Sequence, residues 1–152
     1  MKNLRYIDIP PVWLAIFAAL GYLQSIYLTF GLGFDSAIID LFAGLCIGAG
    51  VILIVLAAVE MRKARTTIIP HQDANVLVTN GIFKRTRNPI YLGDGLILLG
   101  LLLKWDAIAG LILVPLFFMF IEKRFVIAEE NRLRRLFRAD FARYMQKTRR
   151  WI

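Results

Sequence analysis

Apolar residues fall into four long runs, separated by short polar breaks and one long one. The first covers about residues 12–30 and the second about 37–59. Each has the roughly 20 residues that an α-helix needs to cross a hydrocarbon core of about 30 Å. The third, about 88–103, opens on Asn88-Pro89, and proline suits a first helical turn because its missing N–H has no partner to lose there. The fourth covers about 107–124. Only Lys104-Trp105-Asp106 divides it from the third, which predicts a tight antiparallel hairpin with Trp105 at the membrane interface. Beyond it the period changes. Leu133, Leu136, Phe137, Phe141, Tyr144 and Met145 recur at three- and four-residue spacing, with Arg132, Arg134, Arg135, Arg138, Arg143 and Lys147 on the other face. This predicts an amphipathic helix over about 125–148.

The long break, about 62–88, is the most informative part of the pattern. From Leu77 to Gly93 the chain is basic and punctuated by Gly81, Pro89 and Gly93. Irregular backbone of this kind carries N–H and C=O groups that lipid cannot satisfy. It belongs at the membrane surface or along a protein-walled cavity. The amphipathic helix has two places to go: flat on anionic headgroups, or folded back over this loop to close a pocket.

Composition gives the runs their solvent. With 152 residues, 59% of them hydrophobic, and a mean hydropathy of +0.63, the chain reads as one all-α integral membrane domain over 1–152. The net charge of +8 is concentrated in the central loop (Arg62, Lys63, Arg65, Lys84, Arg85, Arg87) and in the tail from Lys123 to Arg150. The Gly31–Ser36 loop has no lysine or arginine, and the hairpin turn has Lys104 alone. The positive-inside rule therefore puts both termini, the central loop and the tail on the cytoplasmic side. Membrane lipids are the partners this charge implies, and nucleic acid is not, because exposed aromatics are not interleaved with the basic residues. The first run follows Lys2 and Arg5 without a small-residue cleavage site and is read as a retained helix.

Few side chains are available for chemistry. Cys46 is the single cysteine, so no internal disulfide can form, and His71 is the single histidine, so no His/Cys metal site is expected. Gly31-Leu32-Gly33 and Gly48-Ala49-Gly50 lack the strand–turn–helix context of a phosphate loop, and the second fits helix–helix packing. Gln24, Asp40 and Asp94 lie inside apolar runs. Intramembrane acids are costly and point to function. Asp40 sits near the non-cytoplasmic end, within reach of water. Asp94 lies one turn into the third helix, beside Tyr91, and is the better candidate. Glu129-Glu130 opens the amphipathic helix and admits two readings, helical ion pairs with Arg132 and Arg134 or a carboxylate facing a pocket.

Two blocks resemble a known family. Leu77-Val78-Thr79-x-Gly81-x-Phe83 with Arg87-Asn88-Pro89-x-Tyr91-x-Gly93, and Glu129-Glu130 with Leu133, Phe137, Phe141, Tyr144 and Arg150-Trp151, are similar to the isoprenylcysteine carboxyl methyltransferase and phospholipid methyltransferase superfamily. The resemblance covers about residues 71–152. It implies a small helical bundle that binds S-adenosylmethionine at its cytoplasmic side and methylates a lipophilic or amphipathic acceptor. The cofactor-binding residues implied are His71, Leu77, Val78, Gly81, Phe83, Arg87, Asn88, Pro89, Tyr91, Gly93, Glu129 and Glu130. Arg87 would pair with the methionine carboxylate, Glu129 or Glu130 with ribose hydroxyls or the α-ammonium, and Arg87, Glu130 and Asp94 would stand closest to the chemistry. Asn88 takes the place of the usual histidine, keeping hydrogen bonds and losing the titrating group; only His71 could stand in for it. Phe141 stands where the family often has tyrosine. The superfamily methylates carboxylates, amines and thiols, and the sequence does not choose among them. The competing readings are an NAD(P)H-dependent reductase of the sterol-reductase type, suggested by Gly93-Asp94, and a non-catalytic small transporter or assembly protein.

Overall fold

The computed structural model describes residues 8–28, 36–66 and 76–152. Among them every regular element is helical: α1 Pro10–Tyr27, α2 Ala37–Lys63, α3 Pro89–Lys104, α4 Leu113–Ile121 and α5 Ile127–Lys147, with short 3₁₀ turns at Gly81–Lys84 and Ala109–Ile112. α1 begins on Pro10-Pro11 and α3 on Pro89, as proline's fixed φ favours in a first helical turn.

α2 and α3 form the tightest pair because small residues let their backbones meet. A Cβ on Gly93 would lie 2.7 Å from the Gly50 carbonyl oxygen, and one on Gly100 would lie 2.6 Å from that of Ala43. Of the small residues expected to pack, Gly50 does so; Gly48 faces open space, with nothing within 4 Å of a Cβ built there. The buried centre is Leu98 and Leu102 of α3 with Phe117 and Ile121 of α4, and Phe17 of α1 meets Phe117 edge-on at 5.3 Å.

The hairpin after α3 is as tight as the Lys104-Trp105-Asp106 break predicts. The Ala107 N–H donates back to the Leu102 carbonyl at 2.8 Å, and Trp105 meets Tyr22 edge-on at 5.2 Å. Two of the three polar groups in the apolar runs fasten this end of the bundle. Gln24 Oε1 accepts from the Gly110 N–H at 2.8 Å, and Asp40 pairs with Lys104 at 2.9 Å where both are exposed. Asp94 has no such task.

The membrane reading holds in a coarser form. Among the described residues one helix, α2, is long and apolar enough to cross a membrane. Its apolar residues point outward: Leu41, Leu45, Ile52 and Val55 are more than half exposed. α1, α3 and α4 have 18, 16 and 9 residues, so the four runs do not become four helices of spanning length.

The fourth run and the tail also differ from expectation. No break separates them: α4 passes through a π-helical turn, Glu122–Val126, directly into α5. Charged Glu122-Lys123-Arg124 marks the end of the apolar run, yet all three residues keep the chain helical. The break comes later, at Arg138, whose φ of 38° and ψ of −108° interrupt α5. A positive φ is strained for a residue with a Cβ. It turns the last limb so that Phe141 and Tyr144 become buried, whereas Leu136, just before it, stays 47% exposed.

Candidate functional site

The basic segment folds as a turn clasped by the C-terminal tail. Gly81 begins it at φ +57°, a left-handed conformation, and a Cβ there would also lie 2.6 Å from Glu60 Cγ, so glycine is required twice over. Behind it Tyr144 donates to the Phe83 carbonyl at 2.6 Å, and the Arg87 N–H donates to the Arg149 carbonyl at 3.1 Å. The Thr86 hydroxyl and the Asn88 side-chain amide both donate to the Arg150 carbonyl, at 3.1 and 3.0 Å. Thr148 reaches the Lys84 carbonyl at 3.5 Å. Residues 148–150 thus run alongside residues 84–88, and backbone groups that lipid could not satisfy are satisfied by the chain itself.

The Arg150 side chain then crosses to the first turn of α5. Its Nε and Nη2 donate to the two oxygens of Glu130 at 3.1 and 2.8 Å, and its Nη1 donates to Glu122 at 2.6 Å. Trp151 adds a 3.1 Å hydrogen bond to Glu122 and meets Phe118 edge-on at 5.1 Å. Arg87 joins from the turn, its Nη2 3.0 Å from Glu130. Glu130 is 4% exposed, and a carboxylate this deep needs such cationic partners. The hydrogen bonds to Glu130 push the Arg150 guanidinium further above its usual range. Burial pushes the Tyr144 hydroxyl up as well, against a smaller opposing effect of Arg87. Both groups keep the protonation states these bonds require.

Beneath the clasp is a cavity of about 610 Å³, within the range of roughly 300–1,000 Å³ typical of small-molecule sites. Leu77, Val78, Phe83, Arg87, Asn88, Pro89 and Tyr91 reach its wall from the turn and the start of α3, and Glu129, Glu130 and Asp94 reach it as well. The Tyr91 hydroxyl donates to Glu129 at 3.1 Å. The rest of the lining is largely apolar and includes Ile9, then Pro10, Pro11 and Leu14 of α1, and Ile54 and Ala58 of α2. Asp8 holds the start of α1 in place, pairing with Arg124 at 2.7 Å and accepting from Trp13 Nε1 at 3.0 Å.

Several expected site residues have work of their own. Gly93 packs on α2 and Gly81 on Glu60, and neither lines the cavity. Asn88 spends its amide on the Arg150 carbonyl. Both oxygens of Glu130 are taken by arginines, so the helical ion pair foreseen with Arg134, at 3.9 Å, is the weakest of its contacts. His71 lies outside the described residues. Among the described residues three polar atoms are buried without a partner in the cavity wall, Oγ1 of Thr66, Nε of Arg87 and Oδ2 of Asp94. Sequence reasoning missed Thr86, Glu122 and Thr148, which carry no motif. It placed Arg150 and Tyr144 only as members of the second block, with Tyr144 also in the apolar stripe.

The family model described as phospholipid methyltransferase matches residues 38–140, more than half of the chain. No curated protein and no solved structure matches it. The match covers α2 from residue 38, the turn, α3, α4 and the first limb of α5. The chain belongs to the phospholipid methyltransferase family.

Proposed function

We propose that the protein is an integral membrane methyltransferase that uses S-adenosylmethionine and acts on a lipid-like or amphipathic acceptor. The observation that carries the reading is the mixed lining of the cavity. It brings guanidinium and carboxylate groups together with apolar side chains of α1, α2 and α3 suited to a hydrocarbon chain. The buried, unpartnered Nε of Arg87 fits a ligand carboxylate at the polar end, where a charge-assisted hydrogen bond is strong. Glu129 and Tyr91 are placed for hydroxyl or ammonium groups, and Phe83 and Val78 for an aromatic base. Glu130 acts through Arg87, fixing its guanidinium. Asp94 stands on the acceptor side, one helical turn deeper than Tyr91.

When bound, S-adenosylmethionine supplies a sulfonium methyl group: the acceptor's lone pair bonds to the methyl carbon as the C–S bond breaks and its electrons neutralise the sulfur. The protein's part is to align the two reactants and exclude water. The clasp of residues 148–150 covers the polar end, and α1 closes the side. The outward apolar faces of α1 and α2 support a bilayer setting, and the distribution of lysine and arginine supports cytoplasmic termini. A family of methyltransferases leaves the reductase and transporter readings without support. Transfer of a labelled methyl group from S-adenosylmethionine into a total lipid extract tests the proposal. Label in an extractable lipid, lost in Arg87→Ala, is the outcome expected.

A further inference from the structure

Among the described residues Asp94 is the one cavity-lining acid with a buried oxygen that has no partner. It is 4% exposed and follows Ile90 and Tyr91 and precedes Ile97 on the face of α3 that lines the cavity. Three residues beyond Tyr91, its Cα lies about 4.5 Å further along the α3 axis. The hydrogen bond of Tyr91 goes to Glu129, so Asp94 is left facing the space between the polar end and the apolar wall of Ile9, Leu14, Ile54 and Ile97. A buried carboxylate oxygen without a hydrogen bond is costly, and a protein keeps one where a ligand supplies the donor.

We infer that Asp94 selects the acceptor by its head group, admitting one that donates a hydrogen bond from N–H or O–H and disfavouring one that ends in a carboxylate. This rests on the proposed methyltransferase site and goes further by assigning the acceptor's polarity. The apolar wall accounts for a hydrocarbon tail, and Asp94 accounts for what must be at its end. A carboxylate head would bring like charge against Asp94, with Glu129 also in the wall. Arg87 is not free to relieve it, since its Nη2 is held by Glu130 and its Nε is assigned to the cofactor carboxylate, and Arg132, the other arginine of the wall, has interactions of its own. Donor heads that are charged and donor heads that are neutral meet the same oxygen, and a comparison of the two separates charge from hydrogen bonding.

The test uses the full chain in phosphatidylcholine nanodiscs, with binding of dodecylamine, dodecanol and dodecanoate measured for the wild type and for Asp94→Asn. S-adenosylhomocysteine is titrated in parallel. Comparing variant with wild type cancels the partitioning of each amphiphile into lipid. The expected result is that the wild type binds dodecylamine and dodecanol over dodecanoate. Asp94→Asn should weaken dodecylamine about tenfold, as loss of a hydrogen bond to a charged group does, and narrow the gap to dodecanoate. S-adenosylhomocysteine affinity should not change. Equal preference in the two proteins overturns the inference, and so does a selective loss of S-adenosylhomocysteine, which would move Asp94 to the cofactor. If Asp94→Asn does not fold, the wild-type order, corrected for uptake of each amphiphile by protein-free nanodiscs, decides: dodecanoate binding as well as dodecylamine sinks the idea. Failure of the wild type to bind S-adenosylhomocysteine would instead count against the methyltransferase reading.

Discussion

Arg150 grips Glu130 with two nitrogens, at 3.1 and 2.8 Å, joining the C-terminal tail to the first turn of α5 beside the cavity. Glu130 is also held by Arg87, so one buried carboxylate fixes both the tail and the basic turn. The clasp and the site are therefore one structure. Changes to Glu130 should be felt as a loss of stability and of ligand affinity together.

Glu130→Gln removes the charge that three arginines surround and leaves Arg87 and Arg150 facing each other. A cost of about 3 kcal/mol is expected, in line with breaking a buried ion pair. Arg150→Ala leaves Arg87 on the carboxylate and should cost less, about 1–3 kcal/mol. Chemical denaturation in detergent micelles measures both. Equal stability of Glu130→Gln and the wild type would contradict the clasp.

Tyr144→Phe removes the hydroxyl that reaches the Phe83 carbonyl and should destabilise by about 1–3 kcal/mol, since a buried acceptor loses its partner. Burial raises the Tyr144 pKa in the folded protein above its unfolded value of about 10. Above that pH the unfolded chain holds fewer protons than the folded one, so stability falls as pH rises. The advantage of the wild type over Tyr144→Phe should thus be constant below about pH 10 and shrink above it. Unfolding curves from pH 8 to pH 11 read this directly, and an advantage that grows with pH would be the wrong sign.

The glycines of α2 divide into two kinds. Gly50→Ala places a methyl 2.5 Å from the Gly93 carbonyl oxygen and 2.7 Å from an Ile97 side-chain carbon, a backbone clash that should cost about 1–3 kcal/mol. Gly48→Ala meets nothing within 4 Å and should stabilise by up to about 1 kcal/mol through helix propensity. Melting temperatures of the two variants should move in opposite directions; the same direction for both would contradict the α2–α3 packing.

Much of this was legible in the residues. Pro89 announced the start of α3, and three polar residues announced the hairpin. The basic turn stood out because its backbone could not be in lipid. The join between α4 and α5 was hidden, because Glu122-Lys123-Arg124 looks like the end of a membrane segment while a π turn needs no glycine or proline to mark it. The kink at Arg138 was hidden for the same reason, with nothing in the local sequence to favour a positive φ. The site itself was half visible. Arg87 and Glu130 were named as ligand groups, and their bond to each other across 43 positions has no sequence signal. Gly93 read as a residue of the cofactor loop, and the structure adds a packing role, since its small size admits the carbonyl of Gly50.

The cofactor that enters the cavity defines the reaction. The direct measurement is calorimetric titration of the purified, detergent-solubilised protein with S-adenosylhomocysteine and, separately, with NADPH. Saturable binding of S-adenosylhomocysteine, weakened about tenfold or more in Arg87→Ala and in Glu130→Gln, is the result predicted. Binding of NADPH without S-adenosylhomocysteine, or S-adenosylhomocysteine affinity unchanged in both variants, would contradict it.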